Sequence, residues 1–267
     1  MSGFDPDWLA LREPADHAAV NHRLRQALFT HLAPRQEISI VDLGCGTGSN
    51  FRSLSPEISC PQRWTLVDYD STLLQHAKRL NSRHSAPNLD ITYRQADFAD
   101  GNITDLVNGH DLVTAAALFD LISEDKIAHM AEQIADAGAA FYTVLTYDGI
   151  ACWLPETQSA TILRHAFNRH QRTDKGFGPA AGPDATHALE RAFDRLGYTT
   201  LCGKSPWVLD DEFIELRRET DRGWAGAAAE AEGLTVEDGE AWLDSRANDP
   251  DAVTIVGHID FLALPKN

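Results

Sequence analysis

Apolar residues in this chain fall in short continuous runs, separated by stretches in which they recur every three or four positions. The runs at 38–43, 64–68, 89–94, 111–116 and 139–146 read as buried strands, and the helical periods at 16–32, 48–55, 71–84 and 123–136 as helices. Pro14 precedes the first of these helices and Pro34 ends it, while 8–13 reads as a short helix or turn. Ser123 stands where the helix at 123–136 needs an N-cap. Strand and helix in alternation predict a doubly wound, mostly parallel α/β sheet. After residue 150 the pattern changes. Helical periods at 162–170, 184–196, 209–216 and 225–232 surround a glycine- and proline-rich loop at 176–183, a further strand is expected near 198–204, and 254–264 reads as a last strand.

The end of the first strand carries the chemistry. Asp42-Leu43-Gly44-Cys45-Gly46-Thr47-Gly48 places three glycines at alternate positions after a buried acid. Glycine there supplies positive φ and removes the Cβ that would block a ligand's approach. The dinucleotide fingerprint G-x-G-x-x-G/A fails, because its third position holds Ser49. Further signals follow in order. The second strand ends in Asp68 with Tyr69 after it, the third leads to Ala96-Asp97-Phe98, and the fourth runs through Asp111 to Leu118. Read singly, Asp68 is as readily a helix N-cap and Phe98 a core aromatic. Cys45 reads as a small residue that suits the turn, not as a nucleophile.

Together and in this order, over about the first two thirds of the chain, these residues resemble the motifs of class I S-adenosylmethionine (SAM)-dependent methyltransferases of the small-molecule type. The resemblance implies a Rossmann-like, seven-stranded sheet with an antiparallel last strand and a helical insert or cap. It implies one domain: an N-terminal helical cap (1–36), a SAM-binding core (37–150), an acceptor-side insert (151–250) and the last strand (251–267). It also implies SAM as cofactor and S-adenosylhomocysteine as product. Asp42, Gly44, Cys45, Gly46 and Ala116 would hold the cofactor, Asp68 the ribose hydroxyls, Tyr69 and Phe98 the adenine faces and Asp97 the adenine amino group.

Composition narrows the partners. The formal net charge of −17 opposes nucleic acid and anionic membrane surfaces. The four cysteines, Cys45, Cys60, Cys152 and Cys202, show no zinc-like spacing, and they read as reduced thiols of a cytoplasmic protein. No signal peptide or membrane-length apolar run is visible, no metal is expected, and a homodimer is compatible with the sequence. Against the acidic background, Arg164 to Gly178 gathers His165, Arg169, His170, Arg172 and Lys175 beside a single carboxylate. This segment is expected to bind a small anionic acceptor, or else to be a solvated helix end whose cations offset the dipole. Arg12 is a further candidate for a carboxylate of SAM or of the acceptor. Candidates for proton handling are His170, Asp120 and Tyr147. The alternatives are a SAM-binding regulatory or partner protein, and a nicotinamide-dependent oxidoreductase, against which Ser49 argues. A protein or RNA methyltransferase is disfavoured by the charge and by Ala116-Ala117-Leu118-Phe119, where a base-amino methylase carries a polar tetrad.

Overall fold

The computed structural model describes residues 5–84, 88–156, 159–230 and 235–266. Met1 to Phe4, the last two residues of the helix read at 225–232, and Asn267 lie outside them. Two helices, α1 (Pro6–Ala19) and α2 (His22–Leu32), open the chain. The alternating core follows as β1 (Ile38–Leu43), α3 (Ser49–Leu54), β2 (Gln62–Asp68), α4 (Ser71–Asn81), β3 (Leu89–Gln95), α5 (Thr104–Val107), β4 (Leu112–Ala116), α6 (Glu124–Asp136) and β5 (Ala140–Leu154). The second half adds α7 (Ala160–Gln171), α8 (Ala185–Arg195), β6 (Thr199–Lys204), β7 (Trp207–Leu209), α9 (Ile214–Glu230), α10 (Val236–Ala247) and β8 (Val253–Leu264).

The strands form one sheet in the order β3-β2-β1-β4-β5-β8-β6, with β7 pairing on β8. The first five run parallel, and β8 is antiparallel to β5, β6 and β7. Successive side chains of a strand point to opposite faces, so β1 feeds two cores. Ile38 and Ile40 pack with Leu24 and Leu28 of α2 and Phe51 of α3. Val41 and Leu43 pack with Val107 of α5, Ile127 of α6 and Phe193 of α8. The strand order reverses direction between β1 and β4, and in open α/β sheets the ligand crevice lies at that switch, beyond the carboxyl ends of the strands.

The structure departs from the sequence reading in several places, among them that one helix, α9, spans the two expected at 209–216 and 225–232, and that α10 follows it. The helix expected over 16–32 is two helices. Pro14 lies inside α1, and the break falls at Val20–Asn21, where the Asn21 side chain accepts from the Leu24 N–H and the Asn21 N–H donates to Asp260 Oδ2 at 2.8 Å. β5 is twice the expected length and, with β8, forms a ribbon that continues past the sheet through two register shifts. The sheet also has an eighth strand, because Trp207–Leu209 pairs with β8 instead of beginning a helix; the helix starts at Ile214.

Candidate functional site

One cavity of about 590 Å³ opens at the switch between β1 and β4. That volume falls in the range of small-molecule and cofactor sites. Its floor is the glycine turn. Gly44 and Gly46 have φ of +65° and +54°, and a Cβ on them would come within 3.2 Å of Leu118 and of Leu9 respectively. A side chain at either position would be both strained and crowded.

Two acids flank the turn. Asp42 is fully buried: its Oδ1 accepts from Asn50 Nδ2 at 3.0 Å, and its Oδ2 is buried with no partner among the described residues. The same Asn50 amide reaches Thr114 Oγ1 at 2.9 Å, so β1, α3 and β4 are tied behind the turn. Burial, offset in part by Asn50 and reinforced by Asp68, pushes the Asp42 carboxyl up to about 7. Asp68 at the end of β2 accepts from Gly46 N–H at 2.8 Å and Asp70 N–H at 2.9 Å. Each carboxylate oxygen has two lone-pair sites, so acceptor capacity remains for hydroxyl groups. Burial raises the Asp68 carboxyl as well.

The helix α1 roofs this floor. Leu9 lies over Gly46, His17 Nε2 sits 3.0 Å from Ser49 Oγ, and Glu13 pairs with Arg52, whose Nη1 donates to Thr47 O at 2.6 Å. Arg12, also on α1, lines the cavity and is held rigid. Its Nε and Nη2 donate to the two oxygens of Asp16 at 2.9 and 3.2 Å, its guanidinium stacks over the Trp207 ring at 4.9 Å, and Trp207 Nε1 donates to Asp16 Oδ1 at 3.0 Å. The positive charge of Arg12 reaches two buried groups. Asp120 is nonetheless raised to about 6 by burial, and His258 is lowered to about 3 by burial with Arg12 adding to it. Asp120 Oδ1 and His258 Nδ1 are buried without partners among the described residues.

Among the described residues, positive φ outside glycine occurs at Ala117 and Leu145 alone, at +49° and +59°. Both line the cavity, and the Ala117 N–H donates to the carbonyl of Val144 at 3.0 Å. Such conformations cost free energy and persist where surrounding structure holds them. For Leu145 the holder is Asp260, whose buried carboxylate takes the Leu145 N–H at 3.1 Å, the Ser205 hydroxyl at 2.6 Å and the Asn21 N–H.

Of the residues singled out by sequence, the cavity brings together Arg12, Asp42, Gly44, Cys45, Gly46, Asp68, Tyr69, Phe98, Ala116 and Lys175. Asp97 does not line it: Asp97 is exposed and accepts from Ala99 N–H at 2.9 Å, while burial, then Asp70 and Asp68, and only last Asp97, raise the Tyr69 phenol. His165 and Arg169 lie on exposed positions of α7, and Arg172 is exposed and paired with Asp184 at 2.6 Å. His170 sits behind Lys175, 3.3 Å from its Nζ, and Tyr147 donates to Asn168 Oδ1 at 2.8 Å. Neither His170 nor Tyr147 lines the cavity, nor does Asp120, although its neighbours Leu118 and Leu121 do. Sequence reasoning passed over Trp8, Asp16, His17, Asn50, Ala117, Leu145 and Phe177. Asn50 and His17 carried a weak signal, polar residues beside the glycine turn and one helical turn beyond Glu13. Ala117 and Phe177 lay inside segments already singled out, and Trp8, Asp16 and Leu145 carried no signal, because distant segments bring them to the site.

Residues 40–140 match the family model described as a methyltransferase domain. Among solved structures, the YcgJ protein of Bacillus subtilis superposes with a TM-score of 0.53 at 11% identity, over 92% of this chain and 100% of its own. The cyclopropane synthase MmaA2 of Mycobacterium tuberculosis does so with a TM-score of 0.51 at 12% identity, over 97% and 94%. These two likenesses speak to the fold. No curated protein matches the sequence. The family match covers the glycine turn and its flanking strands and marks residues 40–140 as a methyltransferase domain, whose cofactor is SAM. The residues present fit the cofactor: a cradle that a Cβ would fill, and a buried, unpartnered carboxylate oxygen on Asp42. No helix among the described residues is long and apolar enough to cross a membrane.

The Asp42 carboxyl is expected to link SAM affinity to pH. Its proton affinity is raised, so it is protonated below about pH 7 and ionised above. A cationic cofactor favours the ionised form and displaces the proton. SAM affinity is therefore expected to level off above pH 7 and to fall by up to about tenfold per pH unit below it. Isothermal titration between pH 5.5 and 8.5 checks this, and an Asp42→Asn variant should flatten the profile. A wild-type profile without slope would remove Asp42 from contact with the cofactor's charge.

Proposed function

We propose that this methyltransferase acts on a small anionic acceptor held between α1, the turn after β4 and Lys175. The observation that carries this reading is Arg12. It is a cavity-lining guanidinium fixed by Asp16 and Trp207, with Nη1 unpaired among the described residues. A pre-oriented fork of this kind suits a carboxylate or other oxyanion better than a mobile cation would. Lys175 adds a second cation to the lining. In this reading residues 1–36 form the cap, 37–150 hold the cofactor, and 151–250 shape the acceptor side. Asp42, Gly44, Gly46 and Asp68 hold the cofactor's aminoacyl and ribose portions, and Tyr69 and Phe98 its adenine.

SAM, when bound, supplies a methyl group already activated as a sulfonium. The residues' task is to orient the acceptor and keep water out, which the apolar roof of Trp8, Leu9, Leu118 and Leu121 does. For an acceptor that must lose a proton, Asp120 is the best-matched group of the three candidates, because a carboxyl raised to about 6 binds a proton usefully near neutral pH. None of the three lines the cavity, but Asp120 Oδ1 has no partner among the described residues, whereas His170 and Tyr147 are already engaged and stand behind it in this assignment.

The test is release of S-adenosylhomocysteine from methyl-labelled SAM across a panel of small carboxylic and hydroxy acids, with Arg12→Lys beside the wild type. Lysine keeps the charge near Asp16 and loses the fork. We expect kcat/KM for the best anionic acceptor to fall about tenfold or more, with SAM affinity held within about threefold. Turnover that prefers neutral acceptors, or an Arg12→Lys enzyme as good as the wild type, would refute the anionic assignment. SAM binding with no turnover across the panel would favour a SAM-binding regulatory protein.

A further inference from the structure

The segment 164–178 reads from sequence as acceptor-binding, and its last residues reach the cavity beside Phe98. Phe177 is buried, lines the cavity, and has its ring centroid 6.0 Å from that of Phe98 at an interplanar angle of 42°. Its placement is built in. Asp174 Oδ1 accepts from the N–H of Gly176 at 2.7 Å and of Gly178 at 3.1 Å, and Asp174 bridges to Pro179, which closes a short loop around Phe177. The glycines on either side have φ of +103° and +85°, a backbone conformation that side-chain-bearing residues rarely adopt. The loop is then fastened to the turn after β4: Phe177 bridges to Ile122, and the Ala181 N–H donates to the Ile122 carbonyl at 2.9 Å. A side chain held by this many backbone contacts is pre-organised, so little conformational freedom is lost when a ligand meets it.

We propose that Phe177, although carried by the insert, is a cofactor-binding residue: with Phe98 it forms an aromatic corner that receives the adenine of SAM. An aromatic ring sandwiched between two others needs centroid spacings of about 7 Å, two contacts of about 3.5 Å. At 6.0 Å and 42° the two phenyl rings leave no slot between them, but they present a continuous apolar corner against which a purine packs face to one ring and edge to the other. Tyr69 lines the same cavity from the end of β2. Lys175, two residues before Phe177, stands on the lining with its Nζ backed by His170. The loop therefore serves both substrates: Phe177 faces the nucleoside, and Lys175 marks where the acceptor side begins. This rests on the SAM assignment of the glycine turn.

Isothermal titration of wild type, Phe177→Ala and Phe177→Leu with S-adenosylhomocysteine and with adenosine tests it. Adenosine shares the purine and ribose and lacks the amino-acid portion. We expect Phe177→Ala to weaken both ligands by a similar factor, about tenfold or more, the range of one lost base–aromatic contact. Phe177→Leu, which keeps the core filled, should weaken both by a smaller factor in the same ratio. Unchanged affinity for both ligands in the leucine and alanine variants would place Phe177 on the acceptor wall and overturn the inference. So would a loss for S-adenosylhomocysteine alone. Wild-type protein that binds neither ligand would remove the SAM assignment itself, and this inference with it.

Discussion

Replacing Asp68 by alanine is expected to lower SAM affinity by about a hundredfold or more, the largest effect of any single change at the site. The carboxylate has two tasks that no neighbour can assume. One oxygen fixes the Gly46 N–H at 2.8 Å and the other the Asp70 N–H at 2.9 Å, so it holds the glycine turn against the end of β2. Its remaining lone pairs are the acceptors available there for ribose hydroxyls. Alanine removes both contributions and leaves the half-buried Gly46 N–H without its partner. Asp68→Asn, which retains one acceptor oxygen, should recover part of the affinity. Folding should suffer little, because burial opposes the Asp68 charge in the ligand-free protein. Isothermal titration beside a thermal melt separates the two outcomes. A loss smaller than about fivefold in folded protein would exclude Asp68 from the cofactor site.

The second large effect is on stability. Asp221 of α9 and Arg246 of α10 form an ion pair at 2.7 Å, and both side chains are almost completely buried. Every neighbour is engaged. Asp221 Oδ1 accepts from Trp153 Nε1 at 3.1 Å and Thr254 Oγ1 at 2.7 Å, while Arg246 also donates to the carbonyls of Leu154 and Val253. The pair therefore joins both helices to the far end of the β5–β8 ribbon. Asp221→Ala strands a buried guanidinium and is expected to cost about 3–5 kcal/mol in urea unfolding. The double replacement Asp221→Leu with Arg246→Met should regain most of it, since an apolar pair avoids the desolvation of two charges. A single-variant loss below about 1 kcal/mol would mean that water reaches the pair. SAM affinity should be unchanged in any variant that remains folded, because the glycine turn belongs to the other half of the sheet.

The parts of the site that were legible in the sequence are those in which one short segment carries its own meaning. Asp42 to Gly48 states a tight turn after a strand, because only glycine tolerates the positive φ and the close approach found at Gly44 and Gly46. Asp68 and Phe98 follow from their positions at strand ends once the strand order is known. The cation-rich segment 164–178 shows the limit of this reasoning. Its composition suggested a single binding face, yet in the fold Arg172 turns to Asp184, His165 stays exposed, and Lys175 with Phe177 reaches the cavity. Charge spacing on a helix specifies which side chains share a face, and the surface that this face meets is decided elsewhere.

By itself the sequence determined the alternating α/β core, the first strand's glycine turn and the acids beside it, because periodicity and turn chemistry act over a few residues. Only the tertiary structure decided the roof and walls of the cavity. Asp260 holds the strained Leu145 from 115 positions away and ends the first helix at Asn21 from 239 away. Trp207 braces Asp16, and through it Arg12, across 191 positions. Each of these contacts joins segments whose local patterns are ordinary. Their meaning arises when β8, threaded antiparallel between β5 and β6, carries Asp260 into the middle of the fold. There a buried carboxylate must find donors, and the donors it finds set the shape of the site.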